Sequence, residues 1–350
     1  MRRIIGKDKK GRSVLINVPS YDEIYVNNQF GLLTAYDIAI SSNGSGSADA
    51  SAAASGTQKA IFGYGWNGSS TYYSITNLVS NTGIVATDTT GVGTTRYGVA
   101  AAGYGTDKAI FGYGFTNSFS DSTIINLVSN TGVVATDTSG PMFGNRRQIA
   151  AAGYGTDKAI FSYGGSSGGA VYLTNLVSNT GVVGANTTGV GTSRESLAAA
   201  GYGTDKAIFG FGADFSFNNL ATTNLISNTG IVASNQAALT GTARRELAAA
   251  SYGNDKVIFG YGRDAPRYYS TTNLVSNTGV VATNTTGVGT ARAGLAAAGY
   301  GGDKAIFGYG ENGTVRSMTN LVSNTGVVAT DTTGVGTARY ALAAAGYSLS

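Results

Sequence analysis

The sequence predicts an all-β fold made of six repeated antiparallel units, and three observations lead to this prediction. Glycine occurs 53 times in 350 residues, proline occurs three times, and only 12% of the residues are charged, which is typical of short strands joined by tight turns. Two motifs recur with a period of 47 to 50 residues, and no segment shows a helical period over ten or more residues. A repeating unit of about 50 residues with four short strands matches one blade of a β-propeller, so we expect six blades.

The two motifs fix where each unit lies. The first motif, Lys-Ala-Ile-Phe-Gly-Tyr-Gly, begins at Lys59, and the second, Asn-Leu-Val-Ser-Asn-Thr-Gly, begins at Asn77. Both occur six times, with single replacements in some copies such as Ser162 and Phe211. The later copies begin at Lys108, Lys158, Lys206, Lys256 and Lys304, and at Asn126, Asn175, Asn224, Asn273 and Asn320.

Four strand candidates make up one unit. In the fourth unit they are residues 197–202, 206–211, 222–227 and 231–234, and the turns between them are rich in Gly, Asn, Asp and Thr. We expect the alanine-rich first strand to be innermost, because large side chains would not fit where the units converge. The Ile-Phe pair of the second strand should pack between neighbouring units, as in other repeat arrays.

The chain ends on a seventh copy of the inner-strand motif, Leu342–Tyr347. We predict that this segment completes the first unit and closes a ring, since closure removes the exposed sheet edge of an open array. The alternative is that the poor copy at 50–55 fills that place.

The repeat resembles the kelch repeat. The resemblance rests on Arg-x-x-Leu-Ala-Ala-Ala, followed by Lys-Ala-Ile-Phe-Gly-Tyr-Gly, Asn-Leu-Val and Gly-Val-Val-Ala-Thr-Asp, and it covers about residues 57–350. It implies a closed six-bladed propeller of four-stranded antiparallel blades. Two departures from the kelch pattern are the aromatic residue between the paired glycines and the missing tryptophan of the outer strand. The arginines that precede the inner strands are Arg96, Arg146, Arg194, Arg244, Arg292 and Arg339.

The N-terminal part does not match the repeat. We interpret residues 1–40 as an anchoring arm with strands at Ser13–Val18, 23–26 and 31–40, and residues 41–56 as a Gly/Ser/Ala-rich linker. Residues 1–12 carry a net charge of +5, so the rest of the chain sums to −1 and the formal net charge of +4 comes from this N-terminal segment. An acidic protein partner is favoured over nucleic acid. The basic residues of the arm are Arg2, Arg3, Lys7, Lys9, Lys10 and Arg12.

Several kinds of chemistry are not expected. The chain has no cysteine and no histidine, so disulfides and thiolate or imidazole metal sites are excluded, and we expect neither a metal nor a cofactor. No stretch is apolar enough for a membrane helix. We do not expect an enzyme, because a catalytic propeller would need a cluster of acids that differs from unit to unit.

The polar residues that recur in each unit are interpreted as structural. At a position where Asp and Asn alternate, the side chain must supply an oxygen atom but not a charge. We therefore expect this oxygen to accept a hydrogen bond from the backbone. For the arginines we favour a structural role, in which each contacts a neighbouring unit, over a role in binding an anion. The turn acids are Asp107, Asp157, Asp205, Asp255 and Asp303, and the alternating set is Asp88, Asp137, Asp331, Asn186, Asn235 and Asn284.

The variable segment between the second and third strands predicts where the protein binds. Its length and content change from unit to unit, and its aromatic residues offer contact area at low entropic cost, as in recognition loops. These segments are residues 66–75, 115–125, 165–173, 213–221, 263–270 and 311–318. Their aromatic residues are Trp66, Tyr72, Tyr73, Phe115, Phe119, Tyr172, Phe215, Phe217, Tyr268 and Tyr269.

The favoured function is that of a non-enzymatic virion structural protein, of the phage tail-fibre, receptor-binding or capsid-decoration type. Its overall style is similar to such proteins: the arm would attach to other virion or surface proteins, and the propeller would bind a glycan or a host-surface receptor. The alternatives are a bacterial lectin-like propeller and an intracellular kelch-type scaffold, with a cytoplasmic or extracellular location. A homo-oligomer is left open.

Overall fold

The structure is a computed structural model that describes residues 2–7, 13–18, 57–141, 144–236 and 241–350. The chain divides into two compact units, Met1–Ala53 and Ala54–Ser350.

In the first unit the described residues form one antiparallel strand pair. Strand β1 (Arg2–Lys7) pairs with β2 (Ser13–Val18) in a register that places Arg2 opposite Val18. The predicted strand at Ser13–Val18 is therefore confirmed, and three of the six basic arm residues lie on β1. The other three, the predicted strands at 23–26 and 31–40, and the linker at 41–56 lie outside the described residues.

The described residues of the second unit form strands and turns, without a helix. Alternating small and β-branched or aromatic residues, interrupted by Gly and Asn, explain why the strands are short. In chain order the strands are β3 (Lys59–Trp66), β4 (Tyr72–Val79), β5 (Arg96–Tyr97), β6 (Ala100–Tyr104), β7 (Lys108–Gly112), β8 (Phe115–Thr116), β9 (Ile124–Val128), β10 (Thr138–Ser139), β11 (Ala150–Tyr154), β12 (Lys158–Ser162), β13 (Gly165–Ser166), β14 (Gly169–Ala170), β15 (Thr174–Val177), β16 (Ala198–Tyr202), β17 (Lys206–Gly210), β18 (Thr223–Ile226), β19 (Ala248–Tyr252), β20 (Lys256–Gly260), β21 (Thr272–Val275), β22 (Ala296–Tyr300), β23 (Lys304–Gly308), β24 (Thr319–Val322) and β25 (Ala343–Tyr347).

These strands assemble into repeated antiparallel sheets of the β-propeller type. In each sheet the alanine-rich strand is at one edge, the Lys-Ala-Ile-Phe strand is in the middle, and the Asn-Leu-Val strand follows. In the sheet β16-β17-β18, for example, Ala198 pairs with Gly210 and Ala207 pairs with Ile226. The other sheets of this type are β6-β7-β9-β10, β11-β12-β15, β19-β20-β21, β22-β23-β24 and β25-β3-β4.

The predicted fourth strand is largely replaced by isolated bridges. In the first repeat Val79 pairs with Val85 and Thr76 pairs with Thr89, with no continuous ladder between them. The segment still follows the third strand, because Ala86 N–H donates to the carbonyl of Leu78 at 2.8 Å. It lies at the outer edge, where alternate residues face solvent (Ile84 is 70% exposed), so little packing holds it in a regular strand.

The C-terminal segment pairs with the first repeat. Strand β25 lies antiparallel to β3, with Ala343 opposite Gly63 and Tyr347 opposite Lys59. The predicted pairing of Leu342–Tyr347 is thus confirmed, and the competing segment at 50–55 lies outside the described residues. Because Gly and Ala minimise side-chain bulk, neighbouring inner strands approach closely: a Cβ added at Gly346 would lie 3.0 Å from the carbonyl oxygen of Gly299.

The hydrophobic core lies between neighbouring sheets. Ile61 and Tyr64 of the first sheet pack with Phe111 of the next, and the Tyr64 and Phe111 rings meet edge to face at 5.1 Å. The last sheet packs in the same way against the first, since Tyr309 meets Phe62 at 5.2 Å. The predicted place of the Ile-Phe pair between units is therefore confirmed.

A buried arginine ties each pair of neighbouring sheets. Arg244 is fully buried and donates to the carbonyls of Tyr261 and Thr242 and to Asn273 Oδ1, at 2.6, 3.0 and 2.8 Å. Its guanidinium lies 4.5 Å from the centre of the Phe211 ring in the preceding sheet. Burial lowers the pKa of Arg244 to about 10, so the side chain stays charged at neutral pH. The structural interpretation of the arginines is confirmed.

Candidate ligand site at the entrance to the inner strands

A cycle of backbone hydrogen bonds surrounds the starts of the inner strands. In each repeat the second residue after the buried arginine donates its N–H to the carbonyl of its equivalent in a neighbouring repeat, at 2.7–2.9 Å. Following the bonds leads through six residues and back to the first. The six are Gly98, Gln148, Ser196, Glu246, Gly294 and Ala341.

All six residues have a left-handed backbone conformation, with φ between 50° and 63°. Glycine adopts this conformation without strain, but the other residue types do so at a cost of roughly 1–2 kcal/mol each. Gln148, Ser196 and Glu246 therefore occupy conformations that only their surroundings can hold. Strain of this kind concentrates at functional positions, so the side chains of the cycle are candidates for a functional site.

A cavity of about 210 Å³, which we call the Trp66 cavity, opens at this cycle. Its base consists of the apolar residue at the start of each inner strand. The residues that give it a specific chemistry are Trp66, Tyr97, Tyr340, Gln148, Ser196, Glu246 and Arg263. The volume is below the roughly 300 Å³ at which pockets for drug-sized ligands begin, so it fits one small molecule.

One wall of the Trp66 cavity is aromatic. The Trp66 ring lies 5.3 Å from that of Tyr97, stacked, and 5.4 Å from that of Tyr340. Tyr72 and Phe115 extend the cluster behind them, at 5.1 and 5.6 Å from Tyr97. A backbone bridge between Trp66 and Tyr340 holds the wall in place, because it joins the variable segment to the strand entrance.

The other wall is polar and comes from the third, fourth and fifth repeats. It presents the amide of Gln148, the hydroxyl of Ser196, the carboxylate of Glu246 and the guanidinium of Arg263. Arg263 donates to Glu246 Oε1 at 2.6 Å and to Glu311 Oε1 at 3.3 Å, so one guanidinium holds two carboxylates. The wall thus combines hydrogen-bond donors with acceptors.

Three buried polar atoms in these walls have no hydrogen-bond partner among the described residues. They are Trp66 Nε1, Glu246 Oε2 and Arg263 Nε. An unsatisfied buried polar group costs about 1–3 kcal/mol, and more when it is charged. All three atoms are fully buried behind the surface of the walls, so a molecule in the cavity would reach them only if the side chains moved.

Acidic residues concentrate around the cavity. The chain has four glutamates, and Glu246 and Glu311 both contact Arg263, while Glu195 lies close enough to Gly165 that a Cβ there would meet its Oε2 at 1.9 Å. Burial raises the pKa of Glu246 and of Glu195, since both carboxylates are removed from water. Of these three glutamates only Glu246 lines the cavity, and Glu311 joins it through the shared guanidinium of Arg263.

The ten aromatic residues singled out in the sequence fall into separate groups. Trp66, Tyr72 and Tyr73 lie on extended strands and not in a loop, because β3 and β4 continue as a hairpin in which Trp66 pairs with Tyr72. Trp66 alone among the ten lines the cavity. Phe119, Tyr172, Phe215 and Phe217 are 42–80% exposed. Tyr268 donates to Glu311, and Tyr269 donates to Asp264.

Sequence reasoning missed the two residues between the constant arginine and the Leu, Ile or Val that precedes each inner strand. These two positions were treated as spacers, yet they hold Tyr97, Gln148, Ser196, Glu246 and Tyr340. A signal was available, because the spacers are the places within an otherwise constant motif where aromatic, acidic, basic and small residues replace one another.

The recurring acids have the structural roles predicted for them. The turn acid of each repeat pairs with the lysine that follows it, as Asp107 does with Lys108 at 2.8 Å. In the alternating set, Asp137 accepts from the hydroxyl of Thr94, whereas Asn235 donates to that of Thr192. The threonine hydroxyl donates to the aspartate and accepts from the asparagine, so either side chain can link neighbouring repeats.

A second cavity, of about 220 Å³, lies at the opposite ends of the inner strands. It is lined by turn residues such as Thr156, Thr204 and Asn254 and by Lys158, Lys206 and Lys304. Each of these lysines is paired with its neighbouring aspartate, and the lining repeats the same residue types from unit to unit. It therefore lacks the chemical asymmetry of the Trp66 cavity.

The chain is similar in fold to solved structures. The structure described as "Structure of YjhT" matches with a TM-score of 0.55 and 13% identity, over 71% of this chain and 87% of that one. At this identity the similarity concerns the fold alone. No family model matches the chain, and no curated protein matches it in sequence.

The described residues contain no helix that is long and apolar enough to cross a membrane. Within the same residues, no group of three or more acidic side chains is arranged to hold a metal ion.

Proposed function

We propose that residues 57–350 form a closed, six-bladed, kelch-like β-propeller. The cycle of hydrogen bonds around the Trp66 cavity supports closure, and a second cycle supports it at the other end, where Gly301 donates to Gln58 and Ser348 donates to Asp107. Packing of Tyr309 on Phe62 supports the same contact between the last sheet and the first as between the others.

The propeller acts as a non-enzymatic recognition module, and it binds across the face on which the variable segments lie. The observation that carries this proposal is the exposure of three large apolar side chains there: Phe119 is 80% exposed, Phe215 68% and Phe217 67%. Solvent-exposed rings on segments that differ between repeats are typical of binding surfaces. A surface glycan is the favoured target, because the neighbouring cavity joins an aromatic wall to hydrogen-bonding groups.

Binding to an array of immobilised glycans tests the proposal. The variant Phe215→Ser with Phe217→Ser should weaken binding at least tenfold, because it removes the exposed rings without touching the core. Val280→Ser is the matched control: Val280 is equally exposed, at 67%, but follows Gly279, which packs on Tyr202 at the opposite end of an inner strand. The proposal is contradicted if the Phe215→Ser, Phe217→Ser variant binds glycan as tightly as wild type while Val280→Ser loses binding. The binding face would then lie at the opposite ends of the inner strands.

We also propose that residues 1–40 attach the protein to a virion, where the propeller serves as a receptor-binding or decoration domain. The support is the basic strand pair β1–β2, which forms a unit separate from the propeller. A chain lacking residues 1–40 should keep its glycan binding and lose co-sedimentation with virus particles. If the shortened chain loses both glycan binding and attachment to particles, the assignment of attachment to residues 1–40 and of binding to the propeller is contradicted.

Glycoside hydrolysis is a second candidate, because Glu246 and Glu311 meet at Arg263 and burial raises the pKa of Glu246, as a general acid requires. Binding is preferred, since Glu311 already accepts from Arg263, Tyr268 and Gly313 and has little capacity left for a reaction. Release of reducing sugar from a glycan by wild type, abolished in Glu246→Gln, would favour the enzyme.

A further inference from the structure

We propose that the Trp66 cavity binds one neutral monosaccharide unit, with its ring against Trp66 and its hydroxyl groups against Gln148, Ser196 and Glu246. This inference deepens the proposed function, since the sugar would be a terminal residue of the glycan bound by the face. The cavity itself points to the ligand class, through its size and its two unlike walls.

The order of the repeats determines how the two walls face each other. Trp66 and Tyr340 belong to the first repeat and Tyr97 to the second, whereas Gln148, Ser196 and Glu246 belong to the third, fourth and fifth. Along the cycle of hydrogen bonds these three polar positions are consecutive, and Gly294 of the sixth repeat adds no side chain. A molecule in the cavity therefore meets an aromatic surface on one side and hydrogen-bonding groups on the other.

A sugar ring has the matching pair of surfaces. Its C–H groups form an apolar face that packs on an aromatic ring, and its hydroxyls both donate and accept at the edge. Gln148, Ser196 and Glu246 line the cavity and between them carry hydrogen-bond donors and acceptors, and the hydroxyl groups of a sugar can pair with both.

The charges around the cavity select an uncharged ligand. Arg263 compensates Glu246 and also contacts Glu311, and Arg147 pairs with Asp121 at 2.6 Å. An anionic sugar would be repelled by Glu246 and Glu311 and would compete with them for Arg263, while Arg245 also lies 3.8 Å from Glu246. An organic cation would meet the guanidinium of Arg263, which lines the cavity.

Titration of the wild-type protein with free monosaccharides tests the inference directly. Trp66 is the single tryptophan of the chain, so its fluorescence reports on the cavity wall alone. Neutral hexoses, pentoses and N-acetylhexosamines form the panel, and at least one should shift the emission with a dissociation constant on the order of millimolar. Glucuronic acid and tetramethylammonium are the charged comparators.

Calorimetry on variants locates the binding. Trp66→Ala and Glu246→Gln should each weaken the best monosaccharide roughly tenfold or more, because the first removes the stacking surface and the second removes the charged acceptor. Val280→Ser, which changes an exposed side chain outside both the cavity and the recognition face, should leave the affinity within twofold. Thermal unfolding of each variant confirms that the fold is intact.

Three results would overturn the inference: no neutral sugar shifts the emission, a charged comparator binds more tightly than every neutral sugar, or Glu246→Gln and Trp66→Ala keep full affinity. These outcomes are separable from failure of the proposed function. Glycan binding that depends on Phe215 and Phe217 while no free monosaccharide binds would retain the recognition face and remove the cavity as its sugar site.

Discussion

Replacing a buried arginine tests whether the last repeat is held as firmly as an internal one. Arg339 donates to the carbonyls of Tyr64 and Thr337 and to Asn77 Oδ1, at 2.7, 3.0 and 2.8 Å. Two of these partners are more than 260 residues away in sequence. Arg244 makes the equivalent three bonds within the fifth repeat, so Arg339→Met and Arg244→Met remove the same interactions at the junction and inside the array.

The expected cost follows from the groups left behind. Methionine fills much of the space but leaves two buried acceptors, the Tyr64 carbonyl and Asn77 Oδ1, unpaired at about 1–3 kcal/mol each, and the partly buried Thr337 carbonyl loses its donor at a smaller cost. It also removes a contact with an aromatic ring, Tyr309 for Arg339 at 4.4 Å, worth about 1–2 kcal/mol. Against this, an ion no longer has to be desolvated. We therefore expect each variant to lose about 3–5 kcal/mol of unfolding free energy, because hydrogen bonds to a charged group contribute about 1.5–3 kcal/mol each and the saved desolvation offsets part of their sum.

Urea unfolding followed by circular dichroism measures the unfolding free energy of both variants. The difference between their two losses tests whether the ring is closed. Equal losses, within about 1 kcal/mol, are expected if the ring is closed. Lys256→Met is the control, because Lys256 is an exposed partner of Asp255 and should cost less than about 1 kcal/mol. If Arg339→Met loses less than about 1 kcal/mol of unfolding free energy while Arg244→Met loses several kcal/mol, the closed arrangement is refuted.

Three further predictions concern single side chains. Asp137→Asn should change the unfolding free energy by less than about 1 kcal/mol in urea titrations, since Asn fills the same place in other repeats, whereas Asp137→Ala should cost about 1–3 kcal/mol. Despite partial burial, hydrogen bonds from Asn126 and Thr94 lower the pKa of Asp137, so its stabilisation is complete above its unfolded pKa of about 3.9 and is lost as the pH falls further; Asp137→Asn should reduce this acid sensitivity. Tyr163→Phe should cost about 0.5–1.5 kcal/mol in thermal melts, because it removes one hydrogen bond, to the carbonyl of Val190, and the fourth repeat has Phe at this place.

A fourth prediction links pH to the cavity. Because burial raises the pKa of Glu246 above 4.5, monosaccharide affinity measured by calorimetry should begin to fall while the pH is still above that value. An affinity that stays constant down to pH 4 would separate Glu246 from sugar binding.

The sequence by itself determined the repeated frame of this protein. Six copies of two motifs set the strands, their order in each sheet and the pairing of Leu342–Tyr347 with the first repeat, because these features depend on residue patterns that recur within about 50 residues. The roles of the recurring Arg, Asp and Asn residues were also readable, since a residue that occurs in every unit serves what every unit shares. The sequence predicted a regular fourth strand, which the structure largely replaces with isolated bridges. An edge segment has the composition of a strand but lacks a second neighbouring strand to hold it.

Only the tertiary structure decided where the chemistry lies. Trp66, Gln148, Ser196, Glu246 and Arg263 come from four different repeats and are separated by up to about 200 residues, yet they line one cavity. The repeats bring them together because inner strands from different units start around the same cycle of hydrogen bonds. No local pattern records that meeting, since side chains that share a site across sheets have no fixed spacing in sequence.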